Sequence, residues 1–125
     1  MKKTILIVDD DSKVKQAVKA ALEKGDFKVV EASNGLECLQ KLHDGLKPKL
    51  IILDAAMPVM SGWRTLYEMH KDPKLEKIKA VLFTNKESHC KEKDKAYCKE
   101  LDGHYIAKPF TAKEILKKVR QLTAS

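Results

Sequence analysis

The sequence has no long apolar run. Ile5–Val8 spans four residues and gives way to three aspartates, too short for the core of a secretion signal even behind Met1-Lys2-Lys3. No stretch approaches the ~20 apolar residues of a membrane helix, so the expected location is the cytoplasm. Cysteine is scarce: Cys38, Cys90 and Cys98 are odd in number and form no C-x-x-C pair. That is the usage of reduced thiols, not of a disulfide framework. His89, Cys90, Cys98 and His104 match no standard zinc spacing. Aromatics make up 6% of the residues, and no basic stripe interleaves with them. Direct nucleic-acid binding is therefore not expected despite a net charge of +7, which is spread over solvated faces and heaviest after residue 85. Internal repeats, linkers and low-complexity tracts are also missing.

What is present is a regular alternation. A chain of 125 residues with 43% apolar content reads as one domain, residues 1–125, with a normal core. Thr4–Val8 is a continuous apolar strand of the kind buried on both faces of a parallel sheet. Residues 12–24 form a helix, with Ser12 as a plausible N-cap, a stripe of Val14, Ala17, Val18, Ala21 and Leu22, and Gly25 as its stop. Phe27–Glu31 is a second strand. Asn34-Gly35 turns into a helix carrying Leu36, Leu39 and Leu42, ended by Gly45. Leu50–Leu53 is the third strand, followed by a helix over roughly residues 62–71. Ile78–Phe83 is the fourth, and 87–101 a thinly striped, highly charged helix. Tyr105–Ala107 is a short fifth strand. Thr111 with Glu114 forms a capping box for the last helix, with Ile115, Leu116, Val119 and Leu122 inward. Five strands alternating with five helices predict an α/β fold: a doubly wound five-stranded parallel sheet with helices on both faces. The chain ends shortly after the last helix, so no output domain is expected to follow.

Such sheets bind ligands beyond the carboxyl ends of their strands. The first strand ends in Asp9-Asp10-Asp11, the third in Asp54 and the fourth in Thr84, and Lys108-Pro109 follows the fifth. Neighbouring strands would bring these groups into one pocket. Close carboxylates repel unless a cation sits among them, and oxygen ligands at a loop-rich edge suit Mg²⁺. Acid, metal and lysine together suit a phosphoryl group. The cations neutralise its oxygens, a free carboxylate can attack phosphorus, and the Thr84 hydroxyl can bond a phosphoryl oxygen. Asp11 is more simply a helix cap.

The runs Ile5-Leu6-Ile7-Val8-Asp9-Asp10, Asp54-Ala55-Ala56-Met57-Pro58-Val59-Met60-Ser61-Gly62, Phe83-Thr84 and Lys108-Pro109-Phe110 resemble the receiver domain of two-component response regulators, over the whole chain. The resemblance implies the strand order 2-1-3-4-5. It implies that Asp9 and Asp10 hold Mg²⁺, with Asp54 and the carbonyl of Ala56 as further ligands. Asp54 would be the aspartate phosphorylated by a sensor histidine kinase or phosphotransfer protein. Thr84 and Lys108 would contact the phosphoryl oxygens, Tyr105 would be the aromatic switch residue moving with Thr84, and Pro109 would follow a cis peptide. The face built by the fourth predicted helix, the fifth strand and the last helix would meet a downstream protein partner.

Three positions around the expected site set this chain apart. Asn85 is larger than the very small residue usual after Thr84, which predicts a narrower gap between inactive and active states. Ala56 cannot orient a water and Lys86 can reach over the pocket, which predicts slow self-dephosphorylation. Two rivals fit less well. A magnesium phosphatase of the haloacid-dehalogenase type has threonine or valine where Lys13 stands and leaves the Asp54 loop without a purpose. A flavodoxin-like FMN protein needs a glycine- and hydroxyl-rich loop where three aspartates would repel the phosphate.

Overall fold

The computed structural model describes residues 2–55, 57–84, 104–107 and 110–124. Among these, five strands and four helices alternate in chain order: β1 (Thr4–Val8), α1 (Ser12–Lys24), β2 (Lys28–Ala32), α2 (Gly35–His43), β3 (Leu50–Asp54), α3 (Gly62–Lys71), β4 (Ala80–Thr84), β5 (His104–Ala107) and α4 (Ala112–Thr123). The helix expected over 87–101 lies outside the described residues.

All strand pairs are parallel, and the sheet order is β2-β1-β3-β4-β5, as expected. Its centre is apolar because alternate residues serve opposite faces. Leu6, Val8, Ile51, Leu53 and Leu82 pack with Cys38 and Leu42 of α2 and Trp63, Leu66 and Met69 of α3. Ile5, Ile7, Leu50, Ile52, Val81 and Phe83 pack with Val18, Ala21 and Leu22 of α1 and Ile115 and Val119 of α4. Two buried layers on one sheet need uninterrupted apolar strands, and β1 and β3 supply them.

The helix starts follow local chemistry. Asp11, not Ser12, caps α1: its carboxylate accepts the N–H of Lys13 at 2.9 Å and of Val14 at 3.4 Å. Ser12 is already inside the first turn. Asn34 caps α2 and Ser61 caps α3 through their side chains. The capping box of Thr111 and Glu114 at α4 is present in both directions. At the opposite end of α4, the ammonium groups of Lys3 and Lys79 donate to the carbonyls of Thr123 and Leu122, where the helix dipole favours cations.

Two stripe residues turn outward. Ala17 is exposed, because Val18, Ala21 and Leu22 alone fill the contact of α1 with the sheet. Leu36 is also exposed, its expected place in the core being taken by Gly35, Cys38 and Leu42. Leu116 and Leu122 are half-buried, and Thr123 is buried in their stead.

Candidate functional site

β1 and β3 are adjacent and in register, with Val8 opposite Leu53. Asp9, just past the end of β1, and Asp54, the last residue of β3, therefore stand side by side at the carboxyl edge of the sheet. Asp9 is fully buried, Asp10 exposed and Asp54 buried. One carboxylate oxygen from each of Asp9, Asp10 and Asp54 lies within 4.8 Å of the others. Among the described residues this is the one grouping of three acidic, histidine or cysteine side chains so tight.

Two of the three acids are fixed through the backbone around them. The Asp9 N–H donates to the carbonyl of Ala32 on β2 at 3.2 Å, and the Asp9 carboxylate accepts the N–H of Asp11 at 2.9 Å. Asp54 pairs with Phe83 of β4, and the N–H of Ala55 donates to the Phe83 carbonyl at 2.8 Å. Buried carboxylates facing one another are costly without a cation or donors to neutralise them. Three oxygen donors converging at a sheet edge form a donor set for a hard divalent ion.

The segment after Asp54 closes on itself. The N–H of Gly62 reaches the carbonyl of Ala55 at 3.0 Å. At the tip, the N–H of Met60 donates to the carbonyl of Pro58 at 2.7 Å across Val59, whose φ is +69°. This is a three-residue γ-turn of the rare positive-φ kind. Val59 is also 70% exposed, so a β-branched residue stands in a strained conformation in the loop between β3 and α3.

The other expected site residues are placed only in part. Thr84 ends β4 opposite Ala107 of β5, and Tyr105 lies in β5 opposite Leu82; both positions lie on the strands the sequence assigns them to. Ala56, Asn85, Lys86, Lys108 and Pro109 lie outside the described residues. One feature escaped sequence reasoning. The ring of Phe110 stacks on that of Phe83, with centroids 4.9 Å apart and planes 9° from parallel. The signal was there in Phe110 following Lys108-Pro109, but no strand or helix period gives a loop aromatic a partner.

Comparison with known proteins gives a consistent result. The family model described as the response regulator receiver domain matches residues 5–120. The chain is 31% identical over 119 residues to the transcriptional regulatory protein CpxR homolog of Haemophilus influenzae, covering 94% of this chain and 49% of that protein. It is 31% identical over 123 residues to the alkaline phosphatase synthesis transcriptional regulatory protein PhoP of Bacillus subtilis, covering 98% and 49%. The chain thus spans about half the length of these curated relatives. Among solved structures, a CheY-like response regulator receiver domain protein from Methanospirillum hungatei superposes with a TM-score of 0.80 at 30% identity, covering 99% of this chain and 96% of that one. The signal receiver domain of a signal transduction histidine kinase from Syntrophus aciditrophicus gives 0.83 at 27% identity, covering 98% and 90%. With the sheet order, the acidic edge and the matched span in agreement, the chain belongs to the response regulator receiver domain family and is a phosphoryl-accepting domain of two-component signalling.

Proposed function

We propose that Asp54 is the phosphoryl acceptor and that residues 1–125 act as one receiver domain. The observation that carries this reading is the meeting of the Asp9, Asp10 and Asp54 carboxylates within 4.8 Å at the carboxyl edge of β1 and β3. Of the three, Asp54 sits at the end of the central strand, flanked by β1 and β4. The Asp9 carboxylate is engaged with the N–H of Asp11, and Asp10 is the outermost.

The donor set fits Mg²⁺, with Asp9, Asp10, Asp54 and the carbonyl of Ala56 as its protein ligands. When bound, the ion neutralises charge on the transferring group. A carboxylate oxygen of Asp54 forms the new O–P bond as the P–N bond to a donor histidine breaks, and the histidine nitrogen takes up a proton. Thr84 and Lys108 contact the phosphoryl oxygens. Tyr105 responds to the movement of Thr84, with Asn85 and Lys86 modulating the switch and its lifetime. The donor is a sensor histidine kinase or a phosphotransfer protein acting in the cytoplasm. The downstream partner is a protein that meets the face built by the helix expected over 87–101, β5 and α4. The domain's own chemistry is confined to gaining and losing this phosphoryl group.

Intact-mass analysis after incubation with acetyl phosphate and Mg²⁺ tests the reading. The wild type gains one phosphoryl group and Asp54→Asn gains none. Equal labelling of the variant would move the acceptor elsewhere.

A further inference from the structure

Lysines collect at the end of the sheet opposite the acids. Lys28, the first residue of β2, stands level with Thr4 of β1. From the other side, the N–H of Lys49 donates to the Thr4 carbonyl at 2.7 Å. The two lysines therefore flank β1 about 10 Å apart, two strand spacings. Lys3 directly precedes β1, and Lys79 directly precedes β4. All four are exposed, and they cover the amino edge from β2 to β4, about 14 Å. Lys2, Lys47 and Lys77 lie one or two residues further out along the chain and are exposed as well. Nothing along the chain reveals this band. Its members come from four separate segments, and only the parallel register sets them side by side.

The acids nearby do not balance it. Asp26 is engaged by Lys2 at 3.7 Å and Asp72 by His43 at 3.1 Å. Asp44 and Glu76 stand in the turns that lead to β3 and β4, where Lys74 adds a further positive charge. Part of the band serves the fold: Lys3 and Lys79 donate to the carbonyls of Thr123 and Leu122 at the end of α4. Lys28, Lys47, Lys49 and Lys77 have no such duty, since among the described residues their side chains make no ion pair. Ammonium groups gathered in this way repel one another, and an anion laid across them relieves the repulsion.

The make-up of the band selects the anion. It holds neither arginine nor an exposed large apolar side chain; among the described residues the latter are Leu36 and Val59, in the first turn of α2 and the loop after β3, at the other end of the sheet. Protein interfaces are enriched in arginine and aromatics and depleted in lysine. Stable attachment to a membrane needs an apolar or lipid anchor besides a polybasic patch. Neutralising phosphates with lysine is by itself enough for non-specific binding to nucleic acid, and a net charge of +7 concentrated on one face is its electrostatic footprint. A duplex carries about one charge per 1.7 Å, so about eight lie along a 14 Å band. We propose that the amino edge of the sheet is a docking surface for the phosphate backbone of duplex DNA, bound without sequence preference. The acidic edge is a strand length away, about 16 Å, so the inference stands apart from the assignment of Asp54.

The test is binding of a fluorescein-labelled duplex of random sequence, read by anisotropy at several salt concentrations. The wild type should bind in the micromolar range at about 50 mM salt, with log affinity falling against log salt at a slope of about −0.9 for each phosphate engaged. Lys28→Gln/Lys47→Gln/Lys49→Gln should bind at least about tenfold more weakly, with a slope shallower by about two to three. The matched control, Lys13→Gln/Arg64→Gln/Lys113→Gln, removes the same charge from exposed first-turn positions of α1, α3 and α4 at the opposite end. It should stay within about twofold of wild type, because those charges are screened from the band. No binding by the wild type would overturn the proposal. Equal weakening in the two triple variants would also do so, because net charge and not the band would then be the cause. Tighter binding to phosphatidylglycerol vesicles than to the duplex, lost in the Lys28/Lys47/Lys49 variant, would assign the surface to a membrane instead.

Discussion

A Cβ placed on Gly62 falls 2.3 Å from the carbonyl oxygen of Asp54 and 3.0 Å from the Cα of Ala55. Both atoms belong to the backbone of the sheet edge and cannot swing aside. The first turn of α3 thus lies directly on the peptide that carries the candidate phosphoacceptor, and the closed loop from 55 to 62 depends on this approach. Gly62→Ala should cost about 1–3 kcal/mol, the range for forcing an extra methyl into packed surroundings. Urea unfolding reads this as a lower midpoint. An unchanged midpoint would show that the loop yields without cost.

The acidic edge makes a second prediction, in which one substitution has opposite signs with and without metal. Asp10 is the exposed member of the trio, so its removal disturbs little packing and relieves like-charge repulsion. Without metal, Asp10→Ala should melt at or above the wild type. With Mg²⁺ the wild type should gain stability by linkage, about 2.7 kcal/mol at a hundredfold excess over the dissociation constant, while the variant gains almost none. Differential scanning calorimetry with and without Mg²⁺ decides. A metal-free variant melting well below the metal-free wild type would count against repulsion at this edge.

The parts legible in the sequence are those set by local pattern. The four-residue apolar runs of β1 and β3, Gly25 and Gly45 as helix stops, and the Thr111–Glu114 box are all decided within a few residues, and the structure has them there. The acids could be placed together because a parallel sheet delivers strand ends to one edge. What could not be read depends on competition between neighbours. Asp11 was legible as a helix cap, but Ser12 fits the same role from sequence alone, and the carboxylate one residue earlier is the one that caps α1. Ala17 and Leu36 fit an apolar period, but the sheet had room for only part of each stripe. The pairing of Phe110 with Phe83 joins a loop to a strand, and the strain at Val59 is a backbone property that no side-chain pattern reports.

That strain gives a third prediction. Val59 has φ +69° and is 70% exposed. Its side chain has little packing to lose, and its backbone sits where β-branched residues are outliers. Such strain is worth about 1–3 kcal/mol, whereas glycine costs about 0.5–1 kcal/mol in lost chain freedom. Val59→Gly should therefore be more stable than wild type by about 1 kcal/mol, seen as a higher urea midpoint with an unchanged slope. A less stable variant would mean that the Val59 side chain makes contacts that outweigh its backbone strain.

The last prediction concerns Cys38, which is fully buried in α2 against the sheet. Burial in apolar surroundings pushes its thiol up to about 12, because the thiolate cannot be solvated there. In the unfolded chain the thiol ionises near its ordinary value of about 8.5. Above that pH the unfolded state binds fewer protons than the folded state, so the Cys38 contribution to stability falls as pH rises. Between pH 8.5 and 10 the wild type should lose about 1.5 kcal/mol from this group alone. Cys38→Ala leaves a cavity and should be less stable than wild type at pH 7, but it lacks the ionising group. Its deficit should therefore shrink across that interval. Urea midpoints of both proteins at pH 7, 8.5, 9 and 10 measure the difference, in which contributions from lysines and the other cysteines cancel. A deficit that stays constant to pH 10 would mean that the Cys38 thiol ionises as readily in the folded protein as in the unfolded chain.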